Sequence, residues 1–511
     1  MGVPQEPGRP CRFRRKAVPE GEGNEAEGMG VRESECFVVP TKPGNRPMRD
    51  PVEGRGHWFK EPLGGNTMGT PRSDIVSTRL QRVAVLAKEA PGMAFTTLAH
   101  HIDLEFLKEA YRRTRKDGAT GVDGQNAAGY AEKLEENLQS LLDRAKSGTY
   151  RAPPVRRVRI PKGDGSETRP IGIPTFEDKV LQRAVAMLLE AVYEQGFLDF
   201  SYGFRPGRSA HQALEAIWQS TSRMRGCFVI EVDIRKYFDT LDHRHVRKIL
   251  SQRVRDGVVT RLIGKWLNAG VLENGELSFP AAGTPQGGVI SPLLANVYLH
   301  HVLDRWWVGG VLPQMRGKAF LVRYADDLIM GFEHRQDAER VMEVLPRRFA
   351  RYGLELHPEK TRMLEFQAPD RNGRDRDDGR PGTFDFLGFT HYWGRSMKGN
   401  WMVKRKTAAT RFSRILKRTN QWLRKVRHEP VGWQHERLSR ALAGHYSYFG
   451  ITGNGEALKR LRYNVERLWR KWLNRRSWRG NMPWEKFWQL LHRYPLPPSR
   501  VVHSIFRAAS P

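Results

Sequence analysis

Two short apolar runs that flank a pair of acidic residues are the feature that most restricts the fold of this chain. The segment FLVRYADDLIMGF (320–332) is rich in β-branched and aromatic residues on both sides of Asp326 and Asp327. This pattern predicts two strands that meet at a tight turn. We therefore expect a β-hairpin with carboxylates at its tip.

A further strand is predicted at FVIEVDI (228–234), which is short, β-branched and alternating. Its period of two puts the apolar side chains on one face and Glu231 and Asp233 on the other. Asp233 is therefore expected on a polar face near the end of a strand. It lies 93 positions before Asp326, so only the fold can bring the two carboxylates together.

Three segments around these strands have helical periodicity. The first, TFEDKVLQRAVAMLLEAVY, begins with Thr175 as its predicted N-cap. The second, SPLLANVYLHHVL, has Ser291 as N-cap and Pro292 at the first helical position. The third, QDAERVMEVLPRRFARYG, contains Pro346, where we expect a kink. Because helices and strands do not alternate as in a doubly wound sheet, we predict an α+β fold with an antiparallel sheet.

The charge of the chain indicates a polyanionic partner. The 86 Lys and Arg against 56 Asp and Glu give a formal charge of +30. Residues 401–511 alone hold 25 Lys and Arg, 5 Asp and Glu, and eight of the 14 Trp. Basic side chains among flat aromatics suit phosphate contacts and base stacking, so nucleic acid is the predicted partner. Several of these Trp are expected in a small core instead.

The 511 residues exceed a single core of roughly 250 to 300 residues, so two or three units are expected. Residues 1–75 are rich in Gly, Pro and charge without an apolar period, which predicts a disordered N-terminal extension. After the strand-like FDFLGFTHYW (384–393), the pattern predicts helix to the end. An apolar stripe in 405–427 and helices near 434–449 and 455–475 indicate a helical bundle.

Cysteine usage and hydropathy indicate the cellular compartment in which the protein is expected. Cys11, Cys36 and Cys227 are widely spaced and odd in number, so no disulfide framework is expected. No run approaches the roughly 20 apolar residues of a membrane span, and the N-terminal residues lack the apolar centre of a signal peptide. We therefore expect a cytoplasmic protein.

Other motifs accompany the acidic segments in a single order. They are IPKGDGSETRPIGIP (160–174), YGFRPGRSAHQAL (202–214), VDIRKYFDTLDH (232–243), GTPQGGVISPLLAN (283–296), YADD (324–327), LHPEKTRML (356–364) and FLGF (386–389). A DD pair alone is weak, because adjacent Asp in a turn is more often a capped hairpin. Together, from about residue 75 to the C terminus, the motifs resemble those of reverse transcriptases, and the chain is most similar to bacterial group II intron-encoded reverse transcriptase/maturases.

This resemblance implies a right-hand polymerase fold. Fingers and palm, with an antiparallel sheet, would occupy residues 76–395, and an α-helical thumb or maturase (X) domain residues 396–475. GHYSYFGITGN (444–454) resembles the signature of the X domain. Residues 476–511 would form a short basic tail, which we interpret as a DNA-binding remnant. The Cys pairs of the HNH endonuclease that ends many relatives are not found here, so no HNH endonuclease is expected.

The resemblance also implies a function. The chain would be an RNA-directed DNA polymerase that copies intron RNA into cDNA with two Mg²⁺ ions and assists intron splicing and mobility as a maturase. Its partners would be intron RNA, an RNA template with a DNA primer, target DNA and dNTPs. Two alternatives stay open: a maturase that folds RNA but has lost polymerisation, and a host-adapted polymerase in defence or repair. The complete set of acidic residues favours an active polymerase over a maturase that has lost polymerisation. The X-like segment disfavours a host-adapted polymerase.

The site residues follow from the same motifs. The resemblance implies Asp233, Asp326 and Asp327 as catalytic carboxylates and adds Ile234 to them in the metal-binding set. The residues implied for nucleotide binding are Lys162 and Arg169 as cations on the triphosphate, Phe238 as the bulky group that excludes a 2′-hydroxyl, Gln286 in the pocket, and Lys360.

Each of these residues has a plainer interpretation. Lone basic residues such as Lys162 and Arg169 are often solvated surface, Phe238 could simply be core, and a salt bridge explains Lys360 equally well. In the basic helical region, Arg467, Arg470 and Lys471 are the candidate RNA contacts. They span one turn beside Trp469 and Trp472, so some of them could face a core.

Overall fold

The computed structural model describes residues 72–162, 167–279, 282–283, 287–369, 382–477 and 481–504. Residues 1–71, which hold most of the predicted N-terminal extension, lie outside this part. The first described helix begins at Arg72, a few residues before the predicted boundary. None of the helices in the described ranges is both long and apolar enough to cross a lipid bilayer.

The described part of the chain mixes helices with short strands. The helices are α1 (Arg72–Glu89), α2 (Leu104–Arg113), α3 (Ala127–Ala131), α4 (Leu134–Ser147), α5 (Phe176–Tyr193), α6 (Ala210–Met224), α7 (Tyr237–Thr240), α8 (His243–Leu250), α9 (Gly257–Leu267), α10 (Ser291–Leu299), α11 (Arg335–Ala350), α12 (Ala409–Lys425), α13 (Val431–Phe449), α14 (Gly455–Leu473) and α15 (Trp484–Arg493). The strands are β1 (Val155–Lys162), β2 (Glu167–Ile173), β3 (Gly226–Val232), β4 (Val271–Glu273), β5 (Glu276–Ser278), β6 (Ala319–Tyr324), β7 (Asp327–Phe332), β8 (Arg362–Gln367), β9 (Phe384–Phe386), β10 (Phe389–Arg395) and β11 (Trp401–Thr407).

A four-stranded antiparallel sheet, here called the central sheet, has the order β6-β7-β3-β8. Strands β6 and β7 form the predicted hairpin, in which Tyr324 pairs with Asp327. Strand β3 pairs with β7 so that Val232 lies opposite Leu328. The antiparallel sheet predicted from the sequence is thus confirmed.

The central sheet is covered on both faces. Ile230 and Val232 of β3 join one large apolar cluster, and Cys227 and Val229 on the opposite face join a second cluster. On this second face, Glu231 and Asp233 lie opposite the side of Ile230 and Val232, as predicted, but the buried Val229 shares the face. This face is polar only toward its end, because helix α6 and strands β9 to β11 cover the rest.

A second four-stranded sheet, here called the outer sheet, has the order β2-β1-β4-β5. Strands β1 and β2 are antiparallel and carry the IPKGDGSETRPIGIP motif, while β1 and β4 are parallel over two residues. Helix α5 follows β2 directly, and the Thr175 side chain accepts a hydrogen bond from the Asp178 N–H, as its predicted N-cap role requires.

One helix prediction needs adjustment. Helix α10 begins at Ser291 itself, with Ile290 as N-cap and no side-chain cap, so the predicted capping by Ser291 is wrong. Helix α11 continues through Pro346, which lies inside it. Two π-helical turns, His300–Asp304 and Trp307–Val311, follow α10 before a short 3-10 segment.

The segment predicted as a single strand, FDFLGFTHYW, is a hairpin. Leu387 and Gly388 both have positive φ angles, +49° and +82°, which is the geometry of a two-residue turn between β9 and β10. Strand β11 then pairs with β10 along its whole length. The prediction of helix throughout the rest of the chain is wrong here, because residues 401–407 alternate inward and outward as a strand does.

Helices α12 to α15 form what is here called the helical region (residues 409–493). Its core contains Leu423, Leu438, Trp469 and Phe487, all fully buried. The helices predicted near 434–449 and 455–475 are confirmed as α13 and α14. Helix α15 falls within the stretch that the sequence predicted to be helical to its end, although no separate helix was predicted there. Its Phe487 ring packs edge-on against Trp469 at 5.9 Å between centroids.

Candidate active site

The central sheet brings the three predicted catalytic carboxylates to one place. Asp326 lies in the two-residue turn between β6 and β7, and Asp327 is the first residue of β7. Asp233 directly follows β3, whose last residue pairs with the residue after Asp327. The strand register alone therefore sets the ends of the two segments side by side, although 93 positions separate Asp233 from Asp326.

The three carboxylates interact electrostatically. Burial, and then the neighbouring charge of Asp233, raise the pKa of Asp326 above its ordinary value. Burial followed by the charges of Asp326 and Asp233 raises the pKa of Asp327 to about 6, although its side chain still reaches solvent. A carboxylate destabilised by its neighbours gains from a nearby cation, so this cluster favours binding of positive charge.

Asp233 has an intrachain cation beside it. The Lys360 ammonium lies 3.2 Å from its carboxylate oxygen, and the two side chains are 58% and 33% exposed. The Asp233 carbonyl accepts a hydrogen bond from the His357 N–H at 2.8 Å. The salt bridge considered for Lys360 is therefore present, but a pair this exposed contributes little and can open.

The backbone of Ile234 is oriented toward the same site. Ile234 faces Leu356 in an isolated antiparallel bridge, whose hydrogen bonds are made by the neighbouring residues, including Arg235 N–H to Glu355 carbonyl. In such a pair, the N–H and C=O of the central residue point away from the partner. The Ile234 carbonyl thus points to the side of β3 on which the β6–β7 turn with Asp326 and Asp327, here called the acidic turn, lies.

The oxygen atoms at this site suit a hard divalent cation that takes its other ligands from the substrate. Within the described ranges, no three Asp, Glu, His or Cys side chains are close enough to form a metal site by themselves. Magnesium is commonly bound through one or two carboxylates, with waters and substrate phosphates as its other ligands. Oxygen donors of Asp233 and Asp326 fit that requirement.

Comparison with known proteins agrees with this geometry. Residues 160–391 match the family described as reverse transcriptase (RNA-dependent DNA polymerase). The chain is 38% identical to the group II intron-encoded protein LtrA of Lactococcus lactis over 231 residues, 44% of this chain and 38% of LtrA. It is 35% identical to protein YkfC of Escherichia coli K12 over 288 residues, 50% of this chain and 75% of YkfC.

The chain belongs to the group II intron reverse transcriptase family. A plant relative, nuclear intron maturase 4 of Arabidopsis thaliana, is 26% identical over 196 residues, 38% of this chain and 23% of that protein. The matched region spans 38% of the length of LtrA. The family match over residues 160–391 contains all three aspartates, and its last residues lie in β10.

The structure describes only some of the remaining predicted site residues of this reverse transcriptase. Arg169 on β2 pairs across the sheet with Ile160. Its positive charge acts to lower the pKa of both Asp326 and Asp327. Gln286 and the side chain of Lys162 lie outside the described residues.

Phe238 lies on the short helix α7, five residues after Asp233. It is half-buried, and its ring is 5.4 Å from that of Tyr237, whose hydroxyl donates to the Ala295 carbonyl at 2.6 Å. Tyr237 thus anchors the helix, while Phe238 keeps one part of its ring exposed. This position is compatible with both the predicted steric role and a packing role.

The loop before α10 approaches the outer sheet closely. A Cβ on Gly287, whose φ is +118°, would lie 2.5 Å from the carbonyl oxygen of Gly172 on β2. A glycine at this position therefore permits the close approach of the two backbones. The loop is thereby held against the strand that carries Arg169.

The three candidate RNA-contacting residues differ in their exposure and in their contacts within the chain. Arg467 and Lys471 of α14 are exposed. Arg470 is half-buried, lies over the Trp484 ring at 4.3 Å, and donates to the Met482 carbonyl at 2.9 Å. Arg470 therefore joins α14 to the segment that leads into α15.

Two arginines near the site were not singled out from the sequence. Arg411, on the first turn of α12, acts to lower the pKa of Asp327. Arg323 of β6 is fully buried directly before the acidic turn. A charged residue inside an apolar strand is a visible signal for Arg323, whereas nothing in the basic segment around Arg411 distinguishes it from its neighbours.

Proposed function

We propose that this chain is an RNA-directed DNA polymerase encoded by a group II intron, which copies intron RNA into cDNA and assists splicing and mobility as a maturase. The observation that carries the proposal is the meeting of Asp233 with Asp326 and Asp327 at one end of the central sheet. Family membership and the charge of +30 support it.

The proposed architecture is a right hand. The central sheet with its covering helices would be the palm, the outer sheet with the preceding helices the fingers, and the helical region the thumb or maturase domain. The effect of the Arg169 charge on the pKa values of Asp326 and Asp327 supports this assignment, because a polymerase palm holds acidic residues and its fingers hold basic ones. Helix α15 and the residues after it would complete the thumb.

The proposed chemistry is phosphoryl transfer from a dNTP to a primer 3′-hydroxyl. When bound, two Mg²⁺ ions would activate that hydroxyl and stabilise the charge on the transferring phosphate. Asp233 and Asp326 would hold both ions, Asp327 would support them, and the Ile234 carbonyl would supply a further oxygen. The raised pKa values of Asp326 and Asp327 support this role, since they reflect burial of these carboxyl groups together with the neighbouring negative charge.

The proposed nucleotide site lies between the acidic turn and the outer sheet. Arg169 would contact the triphosphate together with Lys162, and Gln286 would line the pocket. Phe238 would exclude the 2′-hydroxyl of an rNTP. Lys360 would leave Asp233 when the cations and the nucleotide bind, which is consistent with the exposure of this ion pair.

The proposed partners are intron RNA, an RNA template with its DNA primer, and target DNA. The helical region offers cations beside aromatic rings, such as the exposed Arg467 at 5.7 Å from the Tyr463 ring and the half-buried Arg437 at 5.2 Å from that of Trp433. Such pairs suit phosphate contacts combined with stacking on unpaired bases.

Primer extension on an RNA template tests the proposal. Asp326→Asn is expected to abolish Mg²⁺-dependent cDNA synthesis while RNA binding persists, because it removes one ligand without changing the basic surface. Asp143→Asn, an exposed position on α4, is the matched control and should extend the primer like the wild type. Extension by Asp326→Asn at the wild-type rate would contradict the assignment. A wild-type protein that binds intron RNA but never extends the primer would indicate a maturase without polymerase activity.

A further inference from the structure

A buried polar network lies directly beneath the acidic turn. Arg323, on β6, is 0% exposed. Its guanidinium donates to both carboxylate oxygens of Asp304 at 2.9 and 2.6 Å, to the Asn296 side-chain oxygen at 2.9 Å and to the Ala325 carbonyl at 3.2 Å. One side chain therefore connects the backbone of the turn to helix α10 and the π-helical turn that follows it.

A second connection reaches the turn from the YGFRPG motif. The Asn296 amide donates to the Gly203 carbonyl at 2.7 Å. Gly203 packs so closely on the turn that a Cβ there would lie 2.3 Å from the Ala325 nitrogen. The Arg323 backbone also exchanges hydrogen bonds of 2.8 Å with this segment, donating to Phe200 and accepting from Tyr202.

The π-helical turn has a geometric role in the network. Asn296 and Asp304 are eight residues apart, which in a regular α-helix would separate their directions by about 80°. The π-helical turn His300–Asp304 takes more residues per turn, so it rotates Asp304 back toward the face of Asn296. Both side chains can then reach the same guanidinium.

The turn itself needs support from outside. Ala325 has a φ of +57°, in the left-handed region that non-glycine residues rarely adopt. Such a conformation persists only where the surroundings hold it. The hydrogen bond from Arg323 to the Ala325 carbonyl and the contact of Gly203 with the Ala325 nitrogen hold this residue on both of its sides.

We propose that Arg323, fixed by Asp304 and Asn296, is a positioning residue that keeps Ala325 left-handed and thereby sets the direction in which Asp326 and Asp327 project. The inference rests on the proposed polymerase function, since it concerns the same site. Arg323 would not touch a substrate, so its effect would pass through the placement of the two carboxylates.

The alternative is that the buried ion pair only stabilises the fold. The two roles can be separated, because replacing both members of a buried ion pair by apolar residues often preserves stability, whereas removing one member leaves an unpaired charge. Arg323→Met/Asp304→Leu removes the charges together and also removes the hydrogen bond to the Ala325 carbonyl.

The experiment measures the rate of single-nucleotide addition, its Mg²⁺ dependence and the Tm of the full-length protein. We expect Arg323→Met/Asp304→Leu to keep a Tm near that of the wild type and to bind primer–template normally. Its rate should fall about 100-fold, the loss typical of a misplaced catalytic group, and half-maximal rate should require more Mg²⁺. Arg323→Lys keeps the positive charge but not the several N–H donors of the guanidinium. Its rate should therefore lie between that of the double variant and that of the wild type.

The matched control is Arg405→Met/Glu215→Leu, which removes another buried arginine paired with a carboxylate at 3.4 Å, on β11 and α6, away from the turn. It should extend the primer at a rate close to that of the wild type. If the Arg323 double variant does not fold, Asn296→Ala replaces it and is expected to slow extension about tenfold, a smaller loss because only one contact of the network is removed.

The results distinguish a failure of the positioning role from a failure of the proposed function. A folded Arg323 double variant, or a folded Asn296→Ala, with the wild-type rate and Mg²⁺ dependence would overturn the positioning role alone. A wild-type chain that does not extend the primer would instead contradict the proposed function.

Discussion

The acidic turn and the helical region hold their charges in different ways. Asp326 and Asp327 project from a backbone that a fully buried arginine and a tightly packed glycine hold in place. Arg467 and Lys471, in contrast, are exposed on a helix beside the rings of Tyr463 and Trp472. Function in the first region should depend on the position of single atoms, whereas function in the second should depend on the number of charges.

The strongest test of this contrast compares two glycines. Gly203→Ala places a Cβ 2.3 Å from the Ala325 nitrogen, so it should displace the turn and slow primer extension about 100-fold. Gly444→Ala, within α13, has no atom within 4 Å of the new Cβ. It should leave extension unchanged and raise the free energy of unfolding by about 1 kcal/mol, since alanine favours helix. Equal activity of the two variants would remove the distinction between the regions.

Phe238→Ala should have the next largest effect. The smaller side chain is expected to open space beside the sugar of the incoming nucleotide, so that selectivity for dNTPs over rNTPs falls about tenfold or more. Competing single-nucleotide additions measure it, and Phe238→Tyr, which keeps the bulk, is the control. Unchanged selectivity in a folded Phe238→Ala would mean that the ring serves packing only.

The exposed cations should give a graded effect. Arg467→Ala/Lys471→Ala is expected to weaken binding of intron RNA and to reduce the log–log salt slope by roughly 0.7 to 0.9 for each lost phosphate contact. Splicing at moderate salt should decline before extension on a short primer–template does. Arg470→Ala is the comparison variant, since its loss of contact with Trp484 and Met482 should lower Tm more than the salt slope. An unaltered slope in the double variant would exclude this surface as the RNA site.

The smallest expected effect is on stability. Because burial and the neighbouring carboxylates raise the pKa of Asp327 to about 6, its ionised form destabilises the fold above that pH. Asp327→Asn should therefore raise Tm slightly at pH 8 without divalent ions, and the difference should shrink at pH 5, where the folded wild type is largely protonated. A variant that is less stable than the wild type at pH 8 would contradict this electrostatic account.

The contrast also explains what could be predicted from the sequence. The hairpin of residues 320–332 and helices α5, α13 and α14 have strong local periodicity, and the sequence predicted all of them. The motifs then predicted Asp233, Asp326 and Asp327 as site residues, and the strand register brings their segments together.

Features that depend on long-range packing escaped prediction. The burial of both faces of β3 results from α6 and β9 to β11, which are distant in sequence. The hairpin turn at Leu387 and Gly388 interrupts an apolar run whose pattern predicts a single strand. The role of Arg323 depends on Asp304, Asn296 and a π-helical turn, none of which a local pattern connects to it.

The packing of α15 against the helical region has a consequence for synthesis of the chain. Phe487 and Leu496, 0% and 2% exposed, cover the core to which Trp469 and Leu473 belong. On the ribosome, α12 to α14 emerge before these covering residues exist, so the core stays open until nearly the last described residues have been made. A chain that stops early, near residue 476, would keep this apolar surface in contact with water and would be prone to aggregation and proteolysis.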